Sequence, residues 1–191
     1  MGECFVEEYL AETPSIDYNN PRIQEKFQEL KNQSNDDLDY IKRSYMFVRD
    51  EIPHSWDIQA DVVSKKASEA LINNTGICWA KSCLFAALLR ANQIPSGISY
   101  QLLAISDDES EGHIIHALNT VYIENKWIRL DTRGNTENAK FSLDTDLLAF
   151  HVRSEFGEID YNDNHSDLDE RLVNVLAKSE SISDIAADFE F

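Results

Sequence analysis

The chain of 191 residues carries 17 Lys and Arg against 35 Asp and Glu, a formal charge of −18, with 42% hydrophobic residues. That size and make-up fit one domain able to bury a core without disulfides or structural metal, and the excess of negative charge opposes phosphate backbones and anionic lipid, so no nucleic acid and no membrane is expected as a partner. Cys4, Cys78 and Cys83 cannot all pair, and Met1 to Ser15 has no basic cluster ahead of an apolar stretch, so a cytoplasmic protein with reduced thiols is expected.

From Asp17 to Lys31, Ile23, Phe27 and Leu30 recur at helical spacing and predict an amphipathic helix. A second helix is expected from Ser34-Asn35-Asp36 toward Ile52, with Leu38, Ile41, Tyr45 and Val48 on one stripe and Pro53 as its stop. His54 to Ser64 has no period. Ala67 to Asn73 reads as a short helix and Asn73-Asn74-Thr75-Gly76 as punctuation. Ile77 to Ala91, almost wholly apolar apart from Lys81, Ser82 and Arg90, reads as a helix buried on most sides. Ser99 to Ile105 reads as a strand and Asp107 to Gly112 as an exposed acidic loop. His113 to Ile123 and Lys126 to Asp131 read as antiparallel strands about a two-residue turn at Glu124-Asn125. That turn sets Tyr122 opposite Trp127, Val121 opposite Ile128 and Leu118 opposite Asp131. Phe141 to His151 fits neither period and Asp160 to His165 reads as loop. Ser166 to Lys178 has helical spacing at Leu168, Leu172, Val175 and Leu176, and the acidic tail from Ser179 is expected to fray.

Cys78 draws attention because Thr75 as N-cap would set it in the first turn of a buried helix, where N–H groups and the positive end of the dipole lower a thiol pKa. A thiolate nucleophile also needs a base, and the base a partner that fixes its tautomer. His116 and Asp131 fit. His116 lies opposite residue 133 in the register above, so Asp131 shares its face as a diagonal neighbour, whereas a three-residue turn would put the two on opposite faces. His113 is an odd number of residues from His116 and faces the other way. A zinc site from Cys78, Cys83, His113 and His116 lacks the usual knuckle spacing, and no metal or cofactor is expected. Cys83 reads as core, Tyr122 with Trp127 as a cross-strand pair, and the acidic runs at Asp107 to Glu111 and Asp160 to Asp169 as solvated loops.

The blocks Thr75-Gly76-Ile77-Cys78-Trp79-Ala80-Lys81-Ser82, Leu88-Leu89-Arg90-Ala91-Asn92-Gln93-Ile94-Pro95, His116-Ala117 and Trp127-Ile128-Arg129-Leu130-Asp131, in that order, resemble the core of the transglutaminase-like superfamily. The resemblance covers roughly Ala67 to Thr132. It implies a papain-like α+β fold, with a Cys-bearing buried helix packed on an antiparallel β-sheet that carries His and Asp, preceded by extra N-terminal helices. It also implies Cys78 as nucleophile, His116 as general base and acid, and Asp131 as orienting carboxylate. The substrate would be a peptide or protein amide, and the thioester acyl-enzyme would pass its acyl group to water or an amine. The chain departs from the family at Leu118, where an aromatic residue often follows His-Ala, and at Gln93, where Gly often precedes Ile-Pro. The oxyanion hole would combine the Cys78 amide with an upstream Trp or Gln, for which Trp56 is the first candidate and Gln59 the second. No calcium-loop pattern is present, so calcium control is not expected.

The expected organisation is one domain, with a helical part over 1–66, a catalytic core over 67–150, and a C-terminal helix and acidic tail over 151–191. The competing reading is a non-catalytic module that binds peptides or proteins on the same fold. The complete Cys, His and Asp set favours the enzyme.

Overall fold

Asn20-Pro21 starts α1 (Pro21–Gln33), later than the apolar spacing alone suggests. The Asn20 side chain accepts the Arg22 N–H, and Pro21 fills a first-turn position that needs no N–H. The computed structural model describes residues 6–106 and 112–187, with the backbone alone at 186 and 187. Cys4 and Asp107 to Glu111 lie outside the described residues.

The next helix is shorter than its apolar stripe. α2 (Asp37–Met46) is capped by Asp36, whose carboxylate accepts the Asp39 N–H at 2.8 Å, and Phe47–Glu51 then continues as a wider π turn. The reason lies in another element. Lys81 is fully buried, and its ammonium donates to the carbonyls of Val48 (2.8 Å), Arg49 (3.4 Å) and Ile52, which the wider turn leaves open. Burial pushes its pKa down to about 8.

After α3 (Ala67–Asn73) comes α4 (Cys78–Ala91), buried over almost its whole circumference. Its end is a Schellman motif: Ile94 N–H reaches the Leu89 carbonyl at 3.0 Å and Gln93 N–H the Arg90 carbonyl at 2.9 Å. Gln93 therefore sits in the left-handed region, φ 58°. Glycine would adopt this backbone without strain. Gln93→Gly is expected to raise stability by roughly 0.5–1 kcal/mol, read as a melting temperature about 1–4 °C higher. An unchanged or lower melting temperature would contradict that.

β1 (Ser96–Ala104), β2 (His113–Ile123), β3 (Lys126–Leu130) and β4 (Ile159–His165) form one antiparallel sheet in the order β3-β2-β1-β4. Glu124 and Asn125 both have positive φ, 50° and 63°, as a type I′ turn requires. The register is the expected one, with Tyr122 opposite Trp127 and Val121 opposite Ile128. β4 corrects the reading of Asp160 to His165 as loop. It is a half-exposed edge strand without apolar alternation, held by backbone pairing to β1 through an irregularity between Ile98 and Tyr100. The frayed tail is corrected likewise: beyond α5 (Glu170–Lys178) a short α6 (Ile182–Ala187) forms and buries Ile182 and Ile185.

α4 packs on β1 and β2. It is fastened there by Ser82, whose hydroxyl donates to the Ala117 carbonyl at 3.1 Å and whose own carbonyl accepts the Asn119 amide at 2.9 Å. At its far end the buried Arg90 guanidinium donates to the carbonyls of Ser96, Ala11 and Ser166. The architecture is thus α+β, with Cys78 on a buried helix, the antiparallel sheet beside it, and helices on the N-terminal side. Among the described residues no helix is long and apolar enough to cross a membrane.

Candidate active site

Cys78 is the first residue of α4, with Ile77 at the N-cap, so Thr75 does not cap the helix as expected. The Thr75 hydroxyl donates instead to the Pro53 carbonyl at 3.0 Å and lies 3.1 Å from the Ser55 hydroxyl. These bonds lay residues 53–55 alongside 75–76, and a parallel bridge joins His54 to Gly76. The bridge seats the buried His54 ring at the start of α4, its Nε2 3.0 Å from the Cys78 amide nitrogen.

His116, in the middle of β2, donates from Nε2 to Asp131 Oδ2 at 2.8 Å, and both side chains are buried, 3% and 1% exposed. Asp131 immediately follows β3. Its Oδ2 also accepts the Ala149 N–H at 2.9 Å, and its Oδ1 the Arg133 N–H at 2.9 Å. With Nε2 taken, Nδ1 is the ring nitrogen left for the Cys78 thiol, whose Sγ lies 3.9 Å from the carbonyl oxygen of the neighbouring Ile115. The Phe150 ring stands edge-on to His116, centroids 5.0 Å apart, and fixes its plane. Of the three residues singled out from sequence, the structure thus pairs His116 with Asp131 and sets His116 on the same cleft as Cys78.

Electrostatics follow from that geometry. Burial alone would push the Cys78 thiol up, but hydrogen bonds and charge from His116 and His54 outweigh it and bring it down to about 5. Burial opposes charge on His116, yet Asp131 and the Cys78 sulfur together drive its pKa upward. Desolvation likewise works against the Asp131 carboxylate and is overcome by His116 and the two backbone N–H groups, which hold it below the usual range. The favoured state is a thiolate beside an imidazolium beside a carboxylate.

The thiol opens onto a cleft of about 510 Å³ whose walls are mostly apolar, including Trp56, Leu103, Ile105, Ile114, Phe150 and Ile185. Trp56 stands on the rim, half exposed, while Gln59 is exposed on a turn with φ 53°. Arg133 pairs bidentately with Asp57 at 2.6 and 2.7 Å and ties the loop after β3 to the His54 turn. Gly134 beside it lies so close to the Arg49 carbonyl that any Cβ would collide. His113 also reaches the cleft wall but is tied through Nε2 to the Phe156 carbonyl at 2.9 Å. Cys83 is buried in the core, where burial pushes its thiol well up.

Sequence reasoning passed over three contributors. His54 lies in the aperiodic stretch His54-Ser55-Trp56-Asp57, from which sequence singled out Trp56 instead. Ala149 and Phe150 lie in a segment with no regular element, so their contribution to Asp131 and His116 had no signal in the pattern.

The chain belongs to the transglutaminase-like superfamily, whose core model matches residues 24–132, more than half of its length. Among solved structures it resembles a proposed cysteine protease from Cytophaga hutchinsonii, with TM-score 0.55 and 16% identity over 67% of this chain and 42% of that one. Weaker likenesses are a proposed protease from Parabacteroides distasonis (TM-score 0.44, 13% identity, 66% of this chain and 25% of that one) and a TGase (0.41, 16%, 74% and 35%). The chain spans less than half the length of each. No curated protein gives a significant sequence match.

Proposed function

We propose that the protein is a thiol acyl-transfer enzyme acting on amide bonds of peptides or proteins. The observation that carries this is the buried His116–Asp131 hydrogen bond of 2.8 Å, which commits Nε2 to the carboxylate and leaves Nδ1 to the Cys78 thiol. The Cys78 thiolate attacks the carbonyl carbon, a C–S bond forms, and the carbonyl π electrons move to oxygen. As the intermediate collapses, His116 Nδ1 gives its proton to the departing amine and a thioester remains on Cys78. Water or an amine then attacks the thioester, with His116 removing its proton and the thiolate leaving. Asp131 keeps the ring oriented and stabilises its charged form without taking the proton. The apolar cleft suits an acyl donor with hydrophobic side chains.

The test is acyl trapping with p-nitrophenyl acetate, followed by intact mass and peptide mapping. One acetyl group on Cys78, discharged by added hydroxylamine and absent from folded His116→Ala, is the expected result. Acetylation spread over surface lysines, with Cys78 no faster than Cys83, would overturn the reading and favour a peptide-binding module.

A further inference from the structure

β2 begins at His113, but β3 stops at Leu130, opposite Asn119, so the edge of β2 over residues 113–117 has no β3 beside it. The two-residue turn decides which groups that edge presents. Ile123 and Lys126 close the turn as a hydrogen-bonded pair, so odd-numbered residues of β2 direct N–H and C=O toward β3 and even-numbered ones toward β1. The observed bonds agree. On the β1 side, the Gly112 carbonyl accepts the Ile105 N–H at 3.0 Å and the Tyr122 N–H reaches the Pro95 carbonyl at 3.0 Å. The carbonyls of Ile115 and Ala117 point the other way and accept the Trp79 indole N–H at 2.9 Å and the Ser82 hydroxyl at 3.1 Å. α4 therefore covers the vacated edge only as far as Cys78, whose Sγ lies 3.9 Å from the Ile115 carbonyl oxygen. Beyond it, the Ile115 N–H and the N–H and C=O of His113 have no strand opposite them among the described residues and border the cleft.

We propose that this free edge of β2 takes the main chain of the substrate as an added strand, and that the bond cleaved is a peptide bond within an extended apolar segment. This rests on the assignment of Cys78 as nucleophile. Neighbouring strands lie about 4.8 Å apart in the plane of a sheet, so a sulfur 3.9 Å from an edge carbonyl stands close to the line the next strand would follow. A main-chain carbonyl on that line meets the thiolate directly. A glutamine side-chain amide would not, because side chains leave a strand perpendicular to the sheet. His113, about 7 Å further along the edge, can exchange both of its main-chain bonds with one substrate residue. An added strand turns its side chains alternately to the two faces of the sheet. On the face shared by His116 they meet Leu103, Ile114 and Phe150; on the other they meet Ile115 and the His113 ring, whose Nε2 is tied to the Phe156 carbonyl. Both faces are mainly apolar, so successive residues of the substrate are apolar. Runs of that kind are buried in folded proteins, which makes an unfolded segment or a peptide the substrate. The peptide C–N bond breaks as Cys78 takes the acyl part, His116 protonates the new amine, and water releases the acid.

The test uses the whole protein and an unfolded substrate, reduced carboxymethylated α-lactalbumin, with new N-termini read by mass spectrometry. Cuts inside apolar runs are expected, absent with native α-lactalbumin and absent with Cys78→Ala. A synthetic peptide carrying the mapped cleavage site then examines the edge. Its main-chain amides, the cleaved bond excepted, are replaced one at a time by esters, each of which removes a single N–H donor. One replacement, within about three residues of the cleaved bond, should lower kcat/KM about 5–10-fold because it removes the donor to the His113 carbonyl, while its neighbours stay within about twofold. A flat profile would overturn the strand pairing. Intact peptide bonds in a protein whose Cys78 is acylated by p-nitrophenyl acetate would overturn the proposal as a whole, and hydroxamate formed from benzyloxycarbonyl-Gln-Gly and hydroxylamine would then mark a side-chain amide as the substrate. A wild-type Cys78 that is not acylated at all would instead refute the nucleophile assignment.

Discussion

Alkylation of Cys78 by iodoacetamide is expected to titrate with a midpoint near pH 5 in the wild-type protein and above pH 7 in His116→Ala. The sign follows from the pair: the neighbouring imidazoles hold the thiol down to about 5, so thiolate persists as pH falls until that value is crossed. At pH 6 such a thiol is about nine-tenths ionised, against about 0.3% for an ordinary thiol of pKa ~8.5. The roughly 300-fold gain in thiolate is partly offset, because a less basic thiolate is a weaker nucleophile by about 40-fold over this interval. A net advantage of about tenfold is left at pH 6, rising to about 40-fold at pH 5, which is therefore the better pH for the assay. Acyl transfer should differ in shape. It needs the His116 proton for the leaving amine, so its profile falls again at high pH as the imidazolium is lost, while alkylation stays on its plateau. A wild-type alkylation midpoint near 8.5 would rule out the ion pair.

Asp131→Ala is expected to slow Cys78 acylation by about 10³–10⁴-fold and to destabilise the fold by about 3–5 kcal/mol. The carboxylate is buried and satisfies three donors at once: His116 Nε2–H, Ala149 N–H and Arg133 N–H. Removing it strands two backbone donors in the interior and takes away the counter-charge of the imidazolium. Asp131→Asn separates the two losses. Its single oxygen can serve His116 and Ala149, but its amide then meets the Arg133 N–H donor to donor, so an intermediate melting temperature is expected. Calorimetry and the p-nitrophenyl acetate rate read both effects. An Asp131→Ala protein with a wild-type rate would remove Asp131 from the mechanism.

What could be read in the sequence depended on how local its cause was. The β2–β3 turn was legible because Glu124 and Asn125 sit between two alternating apolar runs, and the evenness of that turn sets His116 and Asp131 on a common face. Thr75 was misread because its hydroxyl has a partner in Pro53, 22 residues back in the chain, which draws it away from capping α4. β4 escaped notice because main-chain pairing, not apolar side chains, holds it in the sheet. The early end of α2 depends on Lys81, more than thirty residues further along the chain. The place of His54 beside Cys78 is likewise a product of tertiary pairing, through its bridge to Gly76.

Arg90 bears on the order in which the chain assembles. Its guanidinium meets the carbonyls of Ala11 and Ser166, 79 and 76 residues away on either side, as well as that of Ser96. Desolvating a cation before its acceptors are in place is unfavourable, and closing loops of that length comes late in folding. The N-terminal segment and the turn ahead of α5 should therefore dock last, after α4 and the sheet have formed. Contacts made after the rate-limiting barrier act chiefly on unfolding, so this one side chain governs how long the native state survives more than how quickly it is reached.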